Sequence, residues 1–357
     1  MRLRALCALA AAAPFVLAAS AQAQQEWSFE GNHLLVTNMI GEVTVRGHDG
    51  GRIIVRARPG GEDGDLIRYE VKHDGAAEFH AVFPLDRSLD YSYPRRDGGS
   101  TSFHVESWRE ESSFLDELLS MVSGRDRVRV RDGGGGLEAW VDLEVLVPRG
   151  VASRIKVAVG HIEASDVQAD VDLDTHSGSV RANNINGGAR IDTGSGSVEA
   201  HTIRGALNID TGSGGVEATD VEGETVIIDT GSGGVRLERA RARKVEVDTG
   251  SGSVRTSNID ADNTRIDTGS GSVTLDLVRL GDGSHLVDTG SGRVTVMLPE
   301  DASVRIHAET GSGGIDLDVP AARLRKMSRD EVELEIGEGR ADLTIDTGSG
   351  GISIRRR

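Results

Sequence analysis

Apolar and polar residues alternate with period two along most of this chain, and glycine clusters break the alternation at short intervals. In the stretch from Ala206 to Ala218, Leu207, Ile209 and Thr211 share one face, while Asn208 and Asp210 share the other. After Gly212-Ser213-Gly214, Val216 and Ala218 return to the inward parity and Glu217 points out. Such a pattern predicts short β-strands joined by glycine turns. Strands this short are marginal as isolated hairpins. Stacked rung on rung, they pair their backbones with the next coil and bury one continuous apolar column.

The turn itself recurs. Asp-Thr-Gly-Ser-Gly starts seven times, at Asp192, Asp210, Asp229, Asp248, Asp267, Asp288 and Asp346. Variants start at Asp174 and Glu309, and the steps are 18 to 21 residues until a last one of 37, roughly two periods fused. A fixed period in this range predicts a solenoid, in which no repeat buries its apolar face alone. The fold class expected is all-β: a β-solenoid of 18–21-residue repeats over residues 141–357, about 45 Å long at ~4.8 Å per rung. The Thr of each turn falls on the inward parity and is expected to form a ladder. Asp and Ser are expected to bond turn amides, and the glycines to supply positive backbone angles.

Residues 24–60 follow the same grammar from His33 to Arg58 and are expected to be the first turns of this sheet system. Residues 61–140 depart from it. Ser113-Phe114-Leu115-Asp116 reads as a capping box opening a short helix that ends near Gly124. Arg127, Arg129 and Arg131 alternate with valine, and after Gly133 to Gly136 come Glu138, Asp142 and Glu144. This predicts a hairpin with arginines facing carboxylates. Arg355-Arg356-Arg357 is expected to be a charged edge that discourages strand addition.

The first 23 residues read as a secretory signal, with Arg2 and Arg4, an apolar stretch from Ala5 to Ala19, and Ala21-Gln22-Ala23 as the cleavage pattern. The exported chain then begins at Gln24 without Cys7, the one cysteine, and has no thiol chemistry. Its net charge moves from −17 to −19 as Arg2 and Arg4 leave, which opposes nucleic acid and anionic lipid. No later segment is long and apolar enough for a transmembrane helix. No Trp, Tyr or Phe occurs from Val141 to Arg357, as suits a thin solenoid interior with no room for rings.

Two chemistries compete with architecture for the repeated turn. Asp-Thr-Gly-Ser after an apolar residue resembles the signature of aspartic proteases, where two such loops face each other and two carboxylates share a proton. Here the copies follow one another in a single stack. A polysaccharide hydrolase would call for aromatic platforms along the coils, which the repeats lack. Stacking also makes a candidate cation ladder of Asp192, Asp210, Asp229, Asp248, Asp267 and Asp288, with calcium as the ion such oxygens would take. Otherwise no metal centre, cofactor site or catalytic residue is expected. The ten histidines are scattered without His-Glu-x-x-His, which argues against zinc.

The grammar as a whole resembles a bacterial family of exported adhesin-type domains of unknown function. The resemblance lies in Leu35-Val36-Thr37-Asn38 with Gly41-Glu42-Val43-Thr44-Val45-Arg46-Gly47, and in Val141 to Gly150 entering the repeats. It lies also in the end, Gly337-Glu338-Gly339 through Leu343 to Ile354. It implies a β-solenoid at the cell envelope and supplies no catalytic residues. The function expected is a non-enzymatic, exported scaffold or binding module in the periplasm or on the outer surface, its partner an envelope polymer or envelope protein. The alternative is a hydrolase of the aspartic-protease kind.

Overall fold

The computed structural model describes residues 24–72, 76–94, 99–104, 127–320 and 322–357. The expected signal segment and the helix opening at Ser113 lie outside these residues. Among the described residues, 26 strands form one sheet that coils on itself, and three more form a small second sheet. The all-β solenoid expected from the alternation is the fold.

One rung shows how the sequence builds it. Leu207–Thr211 leads through the glycine turn into Val216–Thr230, whose last five residues lie beside Leu207–Thr211 in parallel register. Leu207, Ile209, Val216, Ala218, Val221, Val226 and Ile228 are buried, and their aliphatic side chains fill the column. Burying each of the larger ones stabilises by roughly 1.5–3 kcal/mol.

A second corner was not legible in the sequence. Asp166, Asn184, Thr202, Asp220, Arg239 and Asn258 occupy the left-handed region with φ between 53° and 58°. They recur once per rung. At this corner the ladder steps from Thr219↔Glu238 to Val221↔Ala240, so Asp220 and Arg239 drop out of pairing. Their side chains bond each other along the stack instead, Arg239 Nε to Asp220 Oδ1 at 2.6 Å and Asn184 Nδ2 to Asp166 Oδ1 at 2.7 Å.

At the N-terminal end, His33–Ile40 pairs in parallel with Ala152–Val159, and Val43–His48 lies between Trp140–Pro148 and Ile162–Ser165. Ala77–Val82 and Arg68–Lys72 extend the first face outward. Trp27 packs its ring 4.9 Å from Tyr69 and 5.0 Å from Phe79 over this end. These rings therefore sit where the column is capped rather than inside it.

The arginine–carboxylate hairpin does not form. Arg127–Arg131 pairs with Ser100–His104 and Asp90–Ser92 in the small sheet, while Trp140–Pro148 pairs with Val43–His48 and Ile53–Gly60. Gly133 to Gly136, with φ from 77° to 97°, carry the chain past Asp90, whose carbonyl accepts from the Leu137 amide at 2.9 Å. Arg129 and Arg131 approach Asp90 at 3.8 and 3.6 Å, and Glu144 meets Arg56 at 3.0 Å.

The last rungs do not stack in chain order. Ala341–Thr347 lies between Ser284–Thr289 and Val304–Thr310, so the final repeat is wedged beneath the one preceding it. The 37-residue step is thus an outer rung plus an antiparallel hairpin, Arg323–Met327 with Glu331–Ile336, not two fused periods. Consequently Ile352–Arg356 is flanked on both sides, by Val294–Leu298 and Ile315–Asp318, and the terminal arginines are no edge. Arg357 Nε lies 2.8 Å from Asp276. The basic strand that does stand outermost is Arg323–Met327. Among the described residues, no helix is long and apolar enough to cross a membrane.

Candidate functional site

Each Asp-Thr-Gly-Ser-Gly turn is held by its threonine. Thr249 is buried, donates through Oγ1 to the Gly233 carbonyl one rung back at 3.0 Å, and accepts from the Gly252 amide at 3.1 Å. The same pair of bonds recurs at Thr211, Thr230, Thr268, Thr289, Thr310 and Thr347. The expected threonine ladder exists, and it runs through backbone groups. The glycines serve another purpose than the one expected. From Gly196 onward the turn glycines have no left-handed φ. They are needed because a Cβ on Gly252 would sit 1.7 Å from the Gly233 carbonyl oxygen.

With the threonines turned in, the aspartates face out. Asp174, Asp192, Asp210, Asp229, Asp248, Asp267, Asp288, Asp346 and Glu309 follow one another in direct register along one face. All six residues of the candidate cation ladder lie in this column, one per rung. Desolvation, with repulsion from ladder neighbours, pushes the carboxyls of Asp192, Asp229, Asp248 and Asp288 above the usual aspartate range. At the head of the column stands Lys156, 8% exposed, with Nζ 3.3 Å from Asp174 Oδ2. Arg265 reaches the column at Asp267, 3.1 Å away.

The paired loops of an aspartic protease are not reproduced by these copies. Neighbours lie side by side in parallel register, and their hydroxyls and glycines are engaged between rungs.

Two further features escaped the sequence. The first is a groove of about 750 Å³ near the N-terminal end of the same face, lined in part by Leu34, Leu35, Ala152, Val171, Ala189 and Asn208. Its rim is charged: Arg154, Asp172 and Arg190 succeed one another in register. The second lies at the other end, where His307, Glu331 and Glu333 each offer a ligand atom within 4.8 Å of the others. The signal available was parity, since His307 and Glu309, like Glu331 and Glu333, are two apart on adjacent strands.

Residues 205–355 match the family Toastrack DUF4097. The match bears out the resemblance read from the sequence, and Toastrack is a β-solenoid-like fold of unknown function. It covers the regular rungs from Leu207 to the wedged final repeat, and so includes most of the acidic column and the His307 group. The groove residues named above fall outside the matched residues except for Asn208. Among solved structures, one described as a putative cell adhesion protein from Clostridium sporogenes is similar at 12% identity. That comparison covers 94% of this chain and 99% of the other, with a TM-score of 0.22. No curated protein matches.

Proposed function

We propose that this protein is a non-enzymatic, exported scaffold or binding module of the cell envelope, and that its ligand is an envelope polymer or envelope protein. The observation carrying this reading is the division of labour within the repeated turn. Threonine and glycine are consumed in joining rungs, and the aspartates are left in an outward column. In this reading the D-T-G-S-G signature is structural, and the surface it displays is what a partner meets.

Calcium is the cation this surface takes. Carboxylate oxygens are its preferred ligands, and the upward displacement of Asp192, Asp229, Asp248 and Asp288 favours any positive charge brought alongside. Linear spacing supplies one carboxylate per rung, so affinity is low, and polymer groups complete the coordination.

The test is co-sedimentation of the exported chain with isolated envelope polymers and with whole cells, in calcium and in chelator. Sedimentation that requires calcium and is lost in an Asp210→Asn, Asp229→Asn, Asp248→Asn triple variant supports the reading. Failure to bind any polymer or cell preparation, together with proteolysis at acid pH blocked by a statin-type inhibitor, would replace it with the hydrolase.

A further inference from the structure

We propose that His307, Glu331 and Glu333 form a binding site for one divalent metal ion of the zinc type. The site stands at the end of the acidic column, beside Glu309 and Asp346. His307, Glu331 and Glu333 are none of the six aspartates of the calcium reading, and the proposal does not depend on that reading.

The three side chains come from two antiparallel strands, Val304–Thr310 and Glu331–Ile336. His307 lies opposite Glu333, with Nδ1 3.8 Å from Glu333 Oε1. Glu309, two residues on, lies opposite Glu331 and places Oε2 3.9 Å from His307 Nε2. One imidazole and three carboxylates thus share a single small patch of sheet. Side-chain exposures of 42% for His307, 45% for Glu333 and 25% for Glu331 leave the group open to solvent yet partly walled.

The charge pattern of this antiparallel pair of strands points to a cation. Like charges directly opposite on antiparallel strands destabilise the pair. Two residues from His307, Arg305 faces Glu335, a complementary match. At Glu309 and Glu331 the match fails, and Asp346 of the next strand adds a third carboxylate beside Glu309. The Lys326 ammonium contacts Glu331 and offsets only part of this. A divalent ion would neutralise more and would displace the lysine.

Ligand type selects the metal. A column of oxygens alone suits calcium, but an imidazole with carboxylates suits zinc and its neighbours. The exposed side chains can rotate to bring the three donor atoms to coordination distance. Water or Glu309 would take the fourth position.

The experiment is a zinc titration by calorimetry of the full chain, purified without a histidine tag. One zinc per chain is expected, with affinity lowered roughly 10–100-fold in His307→Ala and in Glu333→Gln. His33→Ala should leave it unchanged, and excess calcium should not displace it. Lys326→Met should tighten zinc binding, since the competing ammonium is gone; a purely structural role for the cluster predicts no such gain. Cobalt should give the visible absorption of a tetrahedral site in the parent and not in His307→Ala. Absence of saturable binding at millimolar zinc, or binding indifferent to both His307→Ala and Glu333→Gln, would overturn the proposal.

Discussion

Thr249 Oγ1 donates to the Gly233 carbonyl of the preceding rung while accepting the Gly252 amide of its own turn. One hydroxyl therefore satisfies a buried acceptor and a buried donor at once. Thr249→Val keeps the shape and removes both bonds, leaving two backbone groups without this partner. The expected loss is about 1–3 kcal/mol, measured by denaturant unfolding. Thr249→Ser should recover most of it, because the hydroxyl and not the methyl is what the rung needs.

Burial, with repulsion from Asp210 one rung back, holds the Asp229 carboxyl above its unfolded value. The folded state thus keeps this proton to a higher pH than the unfolded state does. The resulting penalty is complete above the folded pKa and vanishes below the unfolded one. Asp229→Asn should accordingly stabilise the protein at neutral pH in chelator and have no effect in acid, below the carboxylate range. Relief of the repulsion between neighbours contributes about 1 kcal/mol or less in water, and less in salt. Thermal unfolding across pH reads it directly.

Thr202 is a β-branched residue held at φ 58°, a corner that asparagine occupies at Asn184 and Asn258. Thr202→Asn should raise stability by about 1 kcal/mol, seen as a higher Tm. Equal or lower stability would mean that the Thr202 side chain contributes something that offsets the backbone cost.

The wedged final repeat makes a prediction about truncation. If rungs stacked in chain order, removing residues 341–357 would merely fray the end. Because Ala341–Thr347 separates Ser284–Thr289 from Val304–Thr310, its loss strips both neighbours of a partner. Hydrogen exchange should then show loss of protection across 304–336, a region that the deletion does not touch. Retained protection there would contradict the observed strand order.

Much of this was legible in the chain. Alternation at Leu207, Ile209 and Thr211 indicated which side chains turn inward, and the spacing of the D-T-G-S-G copies indicated stacking. What could not be read has identifiable causes. The left-handed corner is filled by Asp, Asn, Thr and Arg, so no residue type marks it. The insertion of Ala341–Thr347 ahead of Val304–Thr310 is a choice between equivalent rungs with the same turn, which local pattern cannot decide. Glycine was expected for its backbone freedom, and Gly252 is required instead by a carbonyl from another rung. His307 and Glu333 become neighbours only because Glu331–Ile336 lies antiparallel against Val304–Thr310, and their separation of 26 residues matches no metal-ligand motif. The arginine hairpin failed because Asp90–Ser92 and Ser100–His104 pair with Arg127–Arg131.

The central claim is that the repeated signature is architecture, and one turn suffices to test it. Gly252→Ala and Asp248→Asn alter the two residue types within the same copy, and thermal and denaturant unfolding compares them. A methyl at Gly252 meets the Gly233 carbonyl oxygen, so Gly252→Ala should cost about 3 kcal/mol or more. Asp248→Asn should leave stability unchanged or higher. The reverse result, a tolerated Gly252→Ala beside a strongly destabilising Asp248→Asn, would contradict the account and return the aspartate to the centre of the turn.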